Sequence, residues 1–443
     1  MKKQNPDNQR EDALADNRLG TFFYHQEKWF EAIHAYRKAI AKEPTFINAW
    51  YNLGLALNKT NQLNEARQTW QKIINLAPDH LAARFQLASL LMKTEKTDEA
   101  LTEFLLIEKI EPHHFETQSN LAACYVKKGR LIDARIHYKK ALELESKDTQ
   151  TLFNLGVLET QLGDMDSAIQ YYQKAVLLDP DFFAAHNNLG ALFIAKEHIP
   201  FALRHFQKAA RLQPDNTSLQ YTIQALSQNS RLLSAPTDYI KSLFDSYADH
   251  YDQHLLTALD YQIPLHFERI LKKQQPAHNT LDILDLGCGT GLCGTIVKSF
   301  AKTLTGVDLS EKMLDIARDK NMYDTLECND LNSFFTQHNT TYDLIIAGDV
   351  LVYIGELDLF FQQIQKALRH GGLFLFNTEI SETENHTMNQ SGRFSHQKKY
   401  IETLAKKNHL DITHYEKAVT RLQNNEPVYG HLFALKNRLP LSF

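Results

Sequence analysis

A chain of 443 residues has room for two or three domains, and 43% hydrophobic with 23% charged residues is an ordinary globular balance. A net charge of −5 gives no reason to expect a nucleic-acid partner, and residues 238–443 carry the acidity, with 20 Lys and Arg against 26 Asp and Glu. Four cysteines (Cys124, Cys288, Cys293, Cys328) lack zinc spacing and read as reduced thiols with no metal to hold; without an apolar leader or a run of 18 apolar residues, a cytoplasmic location and no membrane span are expected.

Residues 13–216 repeat with a strict period of 34. A small residue recurs as Ala32, Ala66, Ala100, Ala134, Ala168 and Ala202, and four residues later an aromatic as Tyr36, Trp70, Phe104, Tyr138, Tyr172 and Phe206. A turn proline follows at 44, 78, 112, 180 and 214, with Ser146 the single departure. Together with Trp50-x-x-Leu53-Gly54, this resembles the tetratricopeptide pattern. It predicts six helical hairpins, each burying its apolar face against its neighbours, in an all-α superhelix with a concave groove. Thr217–Asn229 reads as a capping helix, which puts the array at residues 13–230.

In the resembling family the sixth position of each repeat faces the groove. Here it holds Arg18, Asn52, Gln86, Asn120, Asn154 and Asn188. Such a ladder of amides suits an extended peptide or protein segment, although asparagine also serves packing within the fold. His113-His114 reads as loop surface.

A break at Ser234-Ala235-Pro236 sets a boundary near residue 235, with a second domain over 238–437. Tyr239–Asp252 has aromatics at helical spacing (Phe244, Tyr247, Tyr251) and reads as a packed helix face. Next comes Leu281–Leu286, an apolar strand, then Gly287-Cys-Gly289-Thr-Gly291 opening a helix. A second strand ends in Asp308, where an adenosine ribose is usually held. Gly289-x-Gly291-x-x-Gly294 matches the dinucleotide fingerprint literally, but Asp285 before it would repel a pyrophosphate and suits an ammonium group instead.

The run Asp285-Leu-Gly-Cys-Gly-Thr-Gly291 resembles motif I of the class I S-adenosylmethionine-dependent methyltransferases. The whole chain is similar to bacterial predicted methyltransferases that carry tetratricopeptide repeats. The resemblance implies a Rossmann-like α/β domain and S-adenosylmethionine as cofactor, held by Asp285, Gly287, Gly289, Gly291, Asp308, Leu309, Met313, Asp330 and Leu331, with Tyr251 in a lid. It also makes Arg393–His396 a recurring feature, within Ser391–His396, which reads as the start of a helix. Asp349 and Tyr353, beyond the fourth strand, face the methyl-transfer site, and Asp349 or His396 is the candidate base. Asp349 stands where an Asn/Asp-Pro-Pro-Tyr pattern is missing, which counts against base or glutamine N-methylation.

The expected function is methyl transfer to an unidentified acceptor, a protein in the groove or a small molecule. The rival reading is an interaction scaffold whose nucleotide domain only senses a cofactor or is inert.

Overall fold

The computed structural model describes residues 6–227, 232–274, 279–423 and 425–438 (side chains from residue 9), which form two compact units, Met1–Lys196 and Glu197–Phe443. Among these residues no helix is long and apolar enough to cross a membrane.

The first unit is a superhelix of antiparallel helix pairs, beginning Pro6–His25 with Trp29–Lys42 and Ile47–Lys59 with Leu63–Leu76. The alanines of the second helices are fully buried, as are their aromatic partners, with Trp70 at 1% and Phe104 at 0% exposure. Tyr36, Trp70 and Tyr172 need a gap in the helix before them, whereas the same repeat position before Phe104 and Tyr138 holds Ala88 and Ala122. A Cβ on Gly54 would stand 2.6 Å from the Trp70 ring, and one on Gly156 2.5 Å from that of Tyr172.

The prolines do more than stop helices. Trp50 Nε1 donates to the Pro44 carbonyl at 2.9 Å and Gln118 Nε2 to that of Pro112 at 2.9 Å, while Arg84 Nε reaches Pro78 at 3.2 Å. Where Ser146 replaces proline, the matching position is Leu152, which has nothing to donate. Turn residues share a period too: Glu27, Asn61, Glu95, Gly129 and Gly163 all have positive φ, from 58° to 81°.

The second unit takes in the helices Ile199–Leu212 and Thr217–Ser227, the latter packed against Thr237–Tyr247. Repeat periodicity and compactness therefore draw the domain line in different places. The expected continuation of the capping helix to Asn229 lies outside the described residues.

Its sheet runs β3 (Thr325–Cys328), β2 (Ala301–Asp308), β1 (Leu281–Leu286), β4 (Tyr342–Ala347), β5 (Leu368–Ile380), all parallel. β9 (Glu426–Asn437) lies antiparallel on β5, and β8 (Leu410–Gln423) on β9. A short hairpin, β6 (His386–Met388) and β7 (Phe394–His396), joins the far end of β5. Residues 394–396 are thus a strand rather than a helix start. All three are buried, and pairing with Glu379 and Ile380 overrides any local preference. The order 3-2-1-4-5 places the chain reversal at β1 and β4, where ligands of open α/β sheets sit beyond the strand ends.

A left-handed backbone costs an L-residue about 1–2 kcal/mol, while glycine gives back part of that gain in the unfolded chain. Glu95→Gly, at φ +61°, is expected to stabilise the array by about 0.5–1 kcal/mol, read as a higher urea midpoint. A lower midpoint would mean that the Glu95 side chain contributes more than the strain it carries.

Candidate functional site

The loop after β1 turns through three glycines with positive φ, Gly287 (59°), Gly289 (54°) and Gly291 (90°). Its position is fixed from β2. Cys288 donates its amide to Val307 at 3.0 Å, and Gly289 donates to Asp308 Oδ2 at 2.9 Å. The other Asp308 oxygen accepts from Ser310 N at 2.9 Å. Burial pushes this carboxyl above its ordinary range, although the Ser310 and Gly289 amides pull it back. Ser310 in turn caps the helix Glu311–Asp319 through Met313 N at 3.2 Å.

Over this floor lies the segment Thr237–Ala258, which joins the loops at two points. Asp245 accepts from the Ser310 hydroxyl at 2.6 Å, and Asp252 accepts from Thr290 and from Lys320 Nζ, the latter at 2.6 Å. Its aromatics meet edge to face, Tyr251 with Tyr247 at 5.4 Å and Phe244 with Tyr353 at 5.7 Å.

Between floor and lid is a cavity of about 430 Å³. Gly287, Gly289, Asp308, Leu309, Asp330 and Leu331 line one half with Tyr251 nearby, and Asp349, Tyr353, Ile354, Glu356, Leu359 and Phe360 line the other. Four carboxylates (Asp308, Asp330, Asp349, Glu356) face it, and among the described residues of the wall there is no lysine or arginine. Such a surface repels phosphates and receives a cation or the hydroxyls of a sugar.

The wall has one contributor that the sequence did not announce. Leu233, Ser234, Ala235 and Thr237 line the cavity. Ala235 donates to the Tyr353 carbonyl at 2.8 Å, while Gly355 and Glu356 donate to Leu233 at 2.8 and 3.0 Å. Behind them Tyr221 donates to the Gly392 carbonyl at 2.6 Å and packs on Tyr239 at 4.6 Å.

Several expected site residues stand elsewhere. Met313 is fully buried in the core and off the wall, as is Gly291. Asp285 lies beneath the glycine loop, 1% exposed, accepting from the Tyr323 hydroxyl at 2.7 Å. Asp330 does reach the cavity, but as the N-cap of Leu331–Gln337, its Oδ1 accepting from Ser333 N at 3.0 Å.

Neither candidate base fits that role. His396 is 0% exposed and off the wall; its Nε2 bonds the Ile354 and Gly355 carbonyls at 2.9 and 3.1 Å, and burial pushes its pKa down to about 4. Asp349 faces the cavity at φ +59°, yet its carboxylate is tied back: Asn377 Nδ2 donates at 2.7 Å and Arg393 at 3.1 Å. Burial alone would raise it, but Arg393, Arg421 and Asn377 outweigh burial and hold it below the usual range. Arg393 and Arg421 both donate to Glu379 Oε1, at 2.7 and 2.9 Å, so two guanidinium groups and two carboxylates neutralise one another. Arg393 also approaches the Tyr353 hydroxyl at 3.3 Å.

In the repeats, three of the amides expected in the groove donate within the array: Asn52 to Asn17 at 3.1 Å, Asn120 to the Glu116 carbonyl at 2.7 Å, and Asn188 to the Tyr172 hydroxyl at 3.0 Å. Asn154 meets Gln150 at 3.0 Å and the Tyr138 hydroxyl; Gln86 is half-buried. His114 caps a helix by accepting from Thr117 N at 3.1 Å, and among the described residues no cluster of His, Cys, Asp or Glu could hold a metal ion.

Residues 283–372 match the family described as methyltransferase domain, and residues 20–61, 48–80, 113–181 and 153–217 match tetratricopeptide-repeat families. A malonyl-[acyl-carrier protein] O-methyltransferase of Bacillus cytotoxicus is 27% identical over 31% of this chain and 49% of its own length. A putative methyltransferase of Geobacillus sp. (strain WCH70) is 31% identical over 32% of this chain and 60% of its own. The chain thus spans about half the length of these curated relatives. Among solved structures, YrrB, titled a TPR protein with an unusual peptide-binding site, is 24% identical over 42% of this chain and 96% of its own, with a TM-score of 0.38.

Removing one member of a buried charge network leaves the rest uncompensated. Arg393→Met is expected to lower stability by about 3–5 kcal/mol in chemical denaturation. A loss under about 1 kcal/mol would show that solvent reaches the network and screens it.

Proposed function

Since the chain carries N-terminal tetratricopeptide repeats and a C-terminal methyltransferase domain, we propose that it transfers a methyl group from S-adenosylmethionine to an acceptor, with the repeats recruiting a protein that is either the substrate or its carrier. The carrying observation is the acid-lined cavity at the ends of β1, β2 and β4, with Asp308 and Asp330 on one half and no cation on the described wall. A sulfonium and an ammonium suit that wall, and a dinucleotide pyrophosphate does not. We propose the repeat array over residues 13–230 and the methyltransferase fold over 238–437.

Bound there, S-adenosylmethionine would supply a methyl on a good leaving group. The chain's task is then to align the acceptor and exclude water. In this reading Asp308 would hold the ribose hydroxyls, Leu309 and Leu331 the flat faces of the base, and Asp330 its amino group. The lid residues Phe244 and Tyr251 close the cavity from above, and Leu233, Ile354, Leu359 and Phe360 offer an apolar bed to the acceptor. With Asp349 held as an arginine-paired anion, Glu356 is the other carboxylate on that half of the described wall. Least is asked of it where the nucleophile needs no strong base, such as a carboxylate or an amine presented by a protein carrier. The repeat groove, with its half-buried amides, is the place for an extended segment of that protein.

Calorimetric titration tests this reading. Wild type is expected to bind S-adenosylmethionine and S-adenosylhomocysteine in the micromolar range, and Asp308→Ala to lose about 10–100-fold, since it removes the ribose partner and frees the Gly289 amide. A folded wild type that binds neither would end the methyltransferase proposal and leave the repeats as the functional part.

A further inference from the structure

Three glycines near the cavity border one aromatic ring, although a Cβ on Gly306 would also press on Leu326 and one on Gly291 on Met322. A Cβ on Gly294 would collide with the Tyr323 hydroxyl and stand 2.6 Å from Cζ; one on Gly306 would stand 2.9 Å from Cε1, and one on Gly291 3.0 Å from Cε2. These residues come from the helix after the glycine loop, from β2 and from the loop itself, so the ring is clasped from three sides. The turn carrying Tyr323 is braced on β2: Asp324 N donates to the Leu304 carbonyl at 2.9 Å, and Leu304 N donates to Asp324 Oδ2 at 2.8 Å.

The clasp aims the phenol at one atom. Tyr323 Oη donates to Asp285 Oδ2 at 2.7 Å, and among the described residues it is the carboxylate's one hydrogen-bond donor. The other charged or titratable groups facing Asp285 are Asp308 from β2, the Cys288 thiol from the loop and the Cys293 thiol from the helix behind. None of them is a cation. Burial, then Asp308, pushes the carboxyl up to about 7, and the Tyr323 bond opposes that rise.

We propose that Tyr323 is a positioning residue of the cofactor site, whose hydroxyl orients and holds the Asp285 carboxylate beneath the glycine loop as the negative charge that draws in a cationic cofactor. This rests on the S-adenosylmethionine reading. Gly294, the residue that completes the dinucleotide fingerprint, then serves the tyrosine and not a pyrophosphate. It also gives cofactor binding a pH dependence of predictable sign. Below about pH 7 Asp285 takes up a proton and the attraction is lost; above it the carboxylate is ionised and the attraction holds until the cofactor's own α-ammonium gives up its proton at about pH 8.

The test is S-adenosylmethionine affinity of the full chain from pH 6 to 9, by calorimetry, for wild type, Tyr323→Phe and Asp285→Asn. Wild-type affinity should climb on the acid side with a midpoint near 7 and fall again above about pH 8 as the cofactor's ammonium deprotonates. Tyr323→Phe keeps the ring in its clasp but removes the donor, so the acid-side midpoint should move up by about one unit. Relative to wild type at the same pH, which cancels the cofactor's own titration, that makes binding about fivefold weaker at pH 7 and nearly equal at pH 9. Asp285→Asn should lose the acid-side climb. A Tyr323→Phe curve parallel to wild type at every pH would reduce Tyr323 to packing and overturn the proposal, with the cofactor reading intact. Wild type that binds no cofactor at any pH would overturn both. Should Tyr323→Phe fail to fold, a wild-type profile with no climb on the acid side of pH 7, or one whose climb persists in Asp285→Asn, overturns the proposal alone.

Discussion

One carboxylate ties together the two turns on which the cavity floor rests. Asp308 accepts from Gly289 with one oxygen and from Ser310 with the other. Those bonds lock the glycine loop after β1 to the turn after β2, and the lid then docks on what they have fixed, Asp245 on Ser310 and Asp252 on Thr290. Floor and lid therefore share a single reference point. The same oxygens border the cavity, so the group that organises the site is also one of the groups a ligand would meet.

The two halves of the cavity treat buried charge in opposite ways. Behind the glycine loop, Asp285 and Asp308 are pushed up by burial, with no cation among the described residues to relieve them. A positively charged ligand would complete that arrangement. Behind the other half, Asp349 and Glu379 are matched by Arg393 and Arg421, so the network is closed on itself and has no charge to spare. Such a closed network holds Asp349 and Tyr353 in place more than it reacts. The division follows from desolvation: a buried carboxylate is either paired or drifts toward its neutral form.

The repeat array and the glycine loop were legible in the sequence because backbone geometry dictates residue type there. A period of 34 with alanine facing an aromatic leaves few alternatives, and a turn through three positive φ values asks for glycine. The lining role of Asp308, Leu309, Asp330 and Tyr353 was legible for the same reason, since strand ends converge at the chain reversal. What escaped depends on partners far along the chain. The Tyr323–Asp285 bond spans 38 residues and the Arg393–Asp349 pair 44, with no local signature at either end. His396 looked available because histidine often is; only the carbonyls of Ile354 and Gly355, brought in by β7, show that it is not. Residues 394–396 are too few for their alternation to declare a strand.

The strap Leu233–Ala235 bears on how such a domain could be moved between proteins. It precedes the methyltransferase fold, yet its backbone pairs with residues 353–356 and its residues line the cavity together with Asp349 and Tyr353. A graft cut at residue 238 would carry the glycine loop and Asp308 and still arrive with the wall formed by Leu233, Ser234, Ala235 and Thr237 missing. The portable piece begins with the helix Thr217–Ser227, whose Tyr221 is bonded to Gly392 next to Arg393. Recombination that respected the motifs alone would exchange glycine loops and leave part of the cavity wall behind.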